Sequence, residues 1–325
     1  MEVLLEGIMA MTGKQIIMIF IGLFLIYIAI KKEYEPMLLL PIGFGAILTN
    51  IPMSSAVGEG GFLTILYDAG IKTELFPILI FIAVGAMIDF SPLLKQPVML
   101  FFGAAAQFGI FAAMLLAASS GKFSLQESAA IGIIGAADGP TSIYVANKFA
   151  KDYIGPISVA EYSYMALVPF IQPPVIRLLT TKKERRIKMQ ADYDAKVSKK
   201  VLIAFPILVT IIAGIIAPVS VGLIGALMFG NLVRECGVLE RLSKSAQNEL
   251  ANLVTLLLGI TIGSTMTAEA FLAPTTLLIM GIGLLAFVFD TAGGVLFAKF
   301  VNLFLKDKIN PMIGAAGISA FPMSA

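Results

Sequence analysis

Apolar runs of 15 to 25 residues recur along this chain from end to end, and no other feature restricts its fold so severely. Each run is close to the roughly 20 residues that a helix needs to cross a bilayer, and there are about ten of them. The bilayer interior offers backbone amides no water, so a chain with this pattern folds as helices. Composition points the same way, with 58% of residues hydrophobic and 14% charged. Residues 1–13 lack the basic start and small-residue cleavage site of a secretory signal, so the run at 15–30 reads as a true span. The expected fold is an all-α polytopic membrane protein.

The chemistry available to such a chain is narrow. It has no His, no Trp and a single Cys, which removes zinc and haem sites, His-based triads and internal disulfides. Acid–base work falls to Asp, Glu, Lys and Tyr. Cys236 stands beside Arg234 and Glu235 at the end of an apolar run and is assigned no role.

One stretch breaks the apolar pattern at a cost that calls for a reason. IGIIGAADGPTSIY at residues 131–144 places a carboxylate, Asp138, inside an apolar run and follows it with Gly-Pro. Proline lacks the amide hydrogen and disfavours helical geometry in the residue before it, so a helix arriving from Ala129 is expected to break near Asp138. Unwound backbone at membrane depth is tolerated only inside protein or beside water, and an intramembrane carboxylate points to ion chemistry. The plainer reading makes Asp138 the N-cap of a helix beginning GPTSIY, and the two readings are compatible.

In chain order, residues 15–30 and 37–51 read as spans, and residues 52–74 as an extramembrane loop with a short surface helix. Residues 77–88 form the next span, ending at Asp89, which is expected to occupy a helix end near the interface. Residues 98–118 form another. Residues 157–179 carry Glu161, Tyr162, Tyr164 and a Gln172-Pro-Pro break, too much polarity for a helix facing only lipid, so this helix is expected to line the same cavity. Residues 180–200 hold eight Lys or Arg against three Asp or Glu, net +5, while the rest of the chain is net −3. The positive-inside rule makes that loop cytoplasmic, where it serves as a solvated flank or docks a soluble partner.

The second half repeats the first. Val84-Gly85-Ala86 reappears as Ile262-Gly263-Ser264, Ile134-Gly135-Ala136-Ala137 as Ile313-Gly314-Ala315-Ala316, and Gly45-Ala46…Asn50 as Gly225-Ala226…Asn231, all at offsets of 178 to 181. Duplicated transporters commonly set such copies in opposite orientation, with an ion site near the midplane where two broken helices meet. The expected plan is an N-terminal span (1–34), a first repeat (35–179), the cytoplasmic loop (180–200) and a second repeat (201–325). The partner of the first break is then residues 310–322, which offers Asn310 and Ser319 oxygens and close backbone approach at Gly314 and Gly317. One carboxylate with amide, hydroxyl and carbonyl oxygens suits a monovalent cation, sodium before potassium.

Four long segments carry a resemblance: GAADGPTSIY at 135–144, EYSYMALVPFIQPP at 161–174, YEPMLLLPIGFGAILTNIP at 34–52 and INPMIGAAGISAFPM at 309–323. The chain resembles, along essentially its whole length, the membrane-embedded beta subunit of the sodium-pumping biotin-dependent decarboxylases, which act on oxaloacetate, methylmalonyl-CoA or glutaconyl-CoA. The resemblance implies that carboxybiotin is decarboxylated at this subunit while sodium leaves the cell and a proton is consumed. It implies as partners a soluble carboxyltransferase alpha subunit, a biotin carrier protein or domain and a small membrane-anchored gamma or delta subunit. It further implies an oligomer in a bacterial or archaeal cytoplasmic membrane, with no nucleic acid. Asp138 matches the family's sodium-binding aspartate; Asn310, Gly314 and Ser319 match its second sodium motif; and Tyr164 matches its proton-donating tyrosine. The family pattern continues with an arginine just beyond the final Met-Ser-Ala, so the second repeat is expected to lack its closing elements within residues 201–325.

Tyr162 and Tyr164 project roughly 200° apart on a helix, so only one is expected to face the cavity, and the resemblance selects Tyr164. Asp290, in FVFDTAGG, stands outside the family pattern; it is read as a second ion ligand, as a partner of Lys299 or Lys306, or as an inward-facing protonated acid. Two other functions fit the same features: a sodium-coupled secondary carboxylate transporter without a biotin partner, and a membrane anchor for soluble subunits. The buried Asp138 argues against the anchor.

Overall fold

A computed structural model describes residues 6–7, 9–33, 35–97, 99–189, 197–305 and 308–317, and these fold as helices joined by turns. Helix α1 (Gly13–Lys32) starts at a capping box in which Thr12 and Gln15 satisfy each other's amides, and it ends on Lys31 and Lys32, which complement its C-terminal dipole. Helix α2 is Pro36–Asn50. Helix α3 (Phe62–Leu66) continues into a π turn (Tyr67–Ile71) and, through a bend of 62°, into α4 (Leu75–Met87). Then follow α5 (Ser91–Lys95), α6 (Met99–Ala106), α7 (Phe108–Ser119), α8 (Leu125–Gly132), α9 (Gly139–Phe149) and α10 (Ile154–Leu179). The rest comprises α11 (Lys199–Ile216), α12 (Val221–Glu235), α13 (Glu240–Ser245), α14 (Ala251–Ser264), α15 (Ala268–Phe271) and α16 (Pro274–Val301).

Of the expected apolar runs, four stand as helices long and apolar enough to cross a membrane among the described residues: α1, α6 with α7, α11 and α16. Two more become spans if each bent pair is counted as one, α3 with α4 and the two halves of α10, which meet at 66°. The others are shorter pieces, because Gly and Pro interrupt them. Residues 62–71 depart from the expected loop. Leu63 and Ile71 are fully buried, and a Cβ at Gly70 would lie 2.0 Å from the Phe76 ring, so the elbow to α4 is closed by packing. Flanking charge and glycine hid a short apolar run. Asp89 lies at a helix end as expected, accepting the Ser91 amide at 2.8 Å. Hydrogen bonds from Ser91, side chain first and backbone next, hold its carboxyl below the usual carboxylate range.

The helices form two bundles. In the first, α2 packs on α14, α4 on α12, α1 on α2 and α11 on α12. Its two central contacts are reciprocal. Asn50 Nδ2 donates to the Met266 carbonyl at 2.7 Å, and Asn231 Nδ2 donates to the Ile88 carbonyl at 2.9 Å. Asn50 and Asn231 are separated by 181 residues and Ile88 and Met266 by 178, the offsets of the sequence repeat. A Cβ at Gly85 would lie 1.8 Å from the Leu227 carbonyl oxygen, and one at Gly263 2.3 Å from that of Ile42, so backbones touch at both places and only glycine fits. Such pairing, in which each half contributes the same group to the other, is what a pseudo-two-fold axis between duplicated halves produces. In the second bundle, α16 is the hub, packing on α6, α7, α10 and two 3₁₀ segments, Ile133–Ala136 and Pro311–Gly317.

Candidate functional site

The first break forms as the local chemistry dictates. Helix α8 opens on a Ser124–Glu127 capping box and gives way to the Ile133–Ala136 turn, after which Ala137 takes left-handed backbone at φ 53°. A non-glycine residue there costs roughly 1 kcal/mol or more, and it persists only where its surroundings hold it. Asp138 is extended at φ −134°, and Gly139-Pro140 restart the chain as α9, where the missing proline amide costs no helical bond. Asp138 thus holds the N-cap position of α9 at the break, but its side chain makes no capping hydrogen bond to a helix amide. Its Oδ2 accepts the Thr141 hydroxyl at 2.6 Å.

Helix α10 closes the site from the other side. Glu161 is fully buried, its Oε2 accepting the Ser142 hydroxyl at 3.1 Å and its Oε1 having no hydrogen-bond partner among the described residues. The Tyr162 ring lies over Gly139, where a Cβ would come within 2.4 Å of ring carbons and of the hydroxyl. That hydroxyl is buried and likewise without a partner among the described residues. Tyr164 turns away, donating to the Met280 carbonyl at 2.5 Å and packing edge-on to Phe287 of α16 at 5.9 Å. The pair splits as helical geometry demands: Tyr162 faces the break and Tyr164 faces α16.

The second break, Pro311–Gly317, packs along α16 one helical turn from the level of the first. Gly314 meets Gly294 so closely that a Cβ on either would lie 2.0 Å from the other's carbonyl oxygen, while a Cβ at Gly135 of the first break would lie 2.1 Å from Asp290 Oδ2. Gln172 of α10 reaches this second break, donating to the Ala315 carbonyl at 3.2 Å. Asn310 is turned toward the basic loop, donating to the Arg185 and Ile187 carbonyls at 3.1 and 3.2 Å. Ser319 lies outside the described residues. The loop is anchored there too, since Glu184 pairs with Lys299 of α16 at 3.2 Å. Hydrogen bonding, first from the Thr181 amide, holds the Glu184 carboxyl below its ordinary range.

Around Asp138 the structure therefore gathers Thr141, Ser142, Glu161 and Tyr162. Among the described residues, Tyr164, Asn310 and Gly314 connect to it through α16 and α10. Glu161 was legible as a polar residue lining the cavity but not as an immediate neighbour of the break; a glutamate three positions before the family tyrosine was the available signal. Glu161 stands within electrostatic reach of both Asp138 and Asp290, and none of the three acids is in an ion pair among the described residues. Buried like charges are costly unless a cation or proton neutralises them. Among the described residues no three acidic, His or Cys side chains cluster closely enough to hold a metal ion. What is present is a carboxylate, hydroxyls and backbone at a break, a donor set suited to a monovalent hard cation.

Residues 14–325 match the family model described as Na+-transporting oxaloacetate decarboxylase beta subunit. The chain is 48% identical to methylmalonyl-CoA decarboxylase subunit beta of Propionigenium modestum, over 98% of its own length and 86% of the relative's. It is 50% identical to glutaconyl-CoA decarboxylase subunit beta of Acidaminococcus fermentans, over 98% and 84% of the two lengths. To oxaloacetate decarboxylase beta chain of Klebsiella pneumoniae it is 43% identical, over 98% and 87%.

Proposed function

The chain belongs to the Na+-transporting oxaloacetate decarboxylase beta-subunit family, and from this premise we propose that it decarboxylates carboxybiotin and couples that step to sodium export with consumption of a proton. The observation that carries the coupling is the helix break at Asp138, half-buried and within electrostatic reach of the fully buried Glu161, with no cationic side chain paired to either among the described residues. Asp138 is the sodium ligand, assisted by the Thr141 hydroxyl and the Tyr162 phenol. Asn310, Gly314 and Ser319 form the second sodium motif. Tyr164 is the proton donor. Its bond to the Met280 carbonyl ties it to α16, and breaking that bond frees the phenol to deliver its proton.

Carboxybiotin arrives on a biotin carrier, loaded by a soluble carboxyltransferase, from the side of the basic loop. Supporting this route, a cavity of about 610 Å³ lies beside the second break, lined by Phe102, Ile176, Met189, Asn310 and Met312. The net +5 loop makes this face cytoplasmic in a bacterial or archaeal inner membrane. Relatives named for three different acids are all 43 to 50% identical to this chain, which fits a substrate chosen on another polypeptide. A small membrane-anchored subunit and an oligomeric membrane assembly complete the complex.

Proteoliposomes holding the complex with its carboxyltransferase and biotin carrier test this reading. Sodium transport driven by decarboxylation is expected, and avidin is expected to stop it. Sodium transport insensitive to avidin, or carboxylate uptake driven by sodium in liposomes holding this chain alone, would instead mark a secondary carrier.

A further inference from the structure

We infer that Asp290 holds a monovalent cation, a proton or a sodium ion, in a site of its own where α7 crosses α16 beside the first break. Asp290 is fully buried near the middle of the 28-residue α16. Its Oδ1 accepts the Gly109 amide at 2.8 Å, at the start of α7. That bond explains only half of the carboxylate. Oδ2 packs against Gly135, so closely that a Cβ there would lie 2.1 Å from it, and it has no hydrogen-bond partner among the described residues. Serving as a cap for α7 requires one acceptor oxygen, which an asparagine supplies without burying a charge. A fully buried carboxylate with one oxygen bonded at a helix start and the other without a hydrogen-bond partner still needs a proton or a cation on that second oxygen.

Among the described residues, the cation does not come from a nearby side chain. Lys299, the basic residue on α16, is engaged by Glu184 and by the Leu179 carbonyl at 2.9 Å. The titratable groups facing this region from the packed elements are Glu161 and Tyr164 of α10 and Asp138 at the break. Helices α6 and α7 and both 3₁₀ segments contribute none, and α8 contributes only Glu127 at its exposed start. Position in the duplication adds a reason. Gly109 and Asp290 are 181 residues apart, the offset that relates Asn50 to Asn231, so equivalent points of the two halves meet here and only one carries charge. One helical turn along, Gly294 touches the second break at Gly314. A cation at Asp290 therefore adjoins both breaks through a single helix.

The inference rests on reading the breaks as an ion path, and its test needs no turnover, so the two can fail separately. In the purified complex, equilibrium binding of radiolabelled sodium and potentiometric titration between pH 5 and 9 are measured for the wild type, Asp290→Asn and Asp138→Asn. Asparagine keeps the Gly109 hydrogen bond. One fewer sodium bound per chain in Asp290→Asn identifies a sodium site; unchanged sodium with one fewer titrating proton identifies a proton site. If both counts match the wild type, Asp290 is a structural cap and the inference is overturned, while a loss in Asp138→Asn alone would leave the function of the first break standing. Should Asp290→Asn fail to assemble, Asp290→Ser is measured. Wild-type protein offers a second readout in modification of Asp290 by a hydrophobic carbodiimide, followed by peptide mass spectrometry. Suppression by sodium or by raised pH supports the site, and absent or insensitive modification contradicts it.

Discussion

Asp138→Asn is expected to lower sodium-dependent carboxybiotin decarboxylation by at least about a thousandfold, a loss of about 4 kcal/mol of transition-state stabilisation, while the protein still inserts and assembles. The amide retains the shape of the carboxylate and can still accept the Thr141 hydroxyl, so the break and α9 should form as before. What disappears is the negative charge that makes an oxygen-lined break bind a cation. Loss of a charge from a span eases insertion by up to about 3 kcal/mol, which argues that reduced activity would not reflect reduced assembly. The check is decarboxylation by the purified complex across a sodium series, with assembly followed by size-exclusion chromatography. Wild-type sodium dependence in the assembled mutant would remove Asp138 from the ion site.

Gly85→Val is expected to prevent stable folding. Its Cβ would have to sit 1.8 Å from the Leu227 carbonyl oxygen, where the obstacle is backbone and cannot rotate away. Overpacking among movable side chains typically costs about 1–3 kcal/mol; separating two backbones would also lengthen the Asn231 bonds to the Gly85 and Ile88 carbonyls, now 3.4 and 2.9 Å. Gly263→Val should behave alike because it fills the reciprocal contact, 2.3 Å from the Ile42 oxygen. Gly103 and Gly281 have nothing within 4 Å of an added Cβ, so Val at either should be tolerated. Thermal denaturation of the detergent-solubilised variants measures this. Equal midpoints for Gly85→Val and Gly281→Val would show that the close approach does not hold the bundle together.

These two sites also show what the sequence could disclose. The break at Asp138 was legible because Gly-Pro has one backbone consequence whatever surrounds it. The reciprocal asparagine and glycine contacts were foreshadowed by the repeat, since equivalent words in duplicated halves tend to meet equivalent partners. The neighbours of Asp138 were less legible. Spacing showed that Tyr162 and Tyr164 diverge, but which one faces the break depends on how α10 is rotated against α9, a tertiary fact. The burial of residues 62–71 was masked by flanking Gly and charge. Asp290 looked like an isolated acid because Gly109 and Gly135, which accommodate it, advertise nothing in sequence. Its suggested pairing with Lys299 is excluded by the Glu184 contact, and Lys306 lies outside the described residues.

We propose that both breaks belong to one unit that moves against the reciprocal bundle, because a fixed pore cannot drive sodium against a potential of about 2.3 kcal/mol per charge per 100 mV. Both breaks pack on α16, whereas the Asn50 and Asn231 contacts lie in the other bundle. Each orientation must differ in sodium affinity, since equal affinity would shift nothing. Residues 155 and 265 join the bundles: a Cβ at Gly155 would lie 2.9 Å from the Thr265 Cβ, within a small adjustment of the about 3.8 Å preferred by a disulfide. The decisive measurement is sodium export by proteoliposomes carrying Gly155→Cys and Thr265→Cys in a Cys236→Ser background, before and after oxidation. Oxidation is expected to abolish export and decarboxylation together, and reduction to restore both. Undiminished export by a fully cross-linked complex would mean that the bundles stay fixed and that the ion passes them by a moving gate.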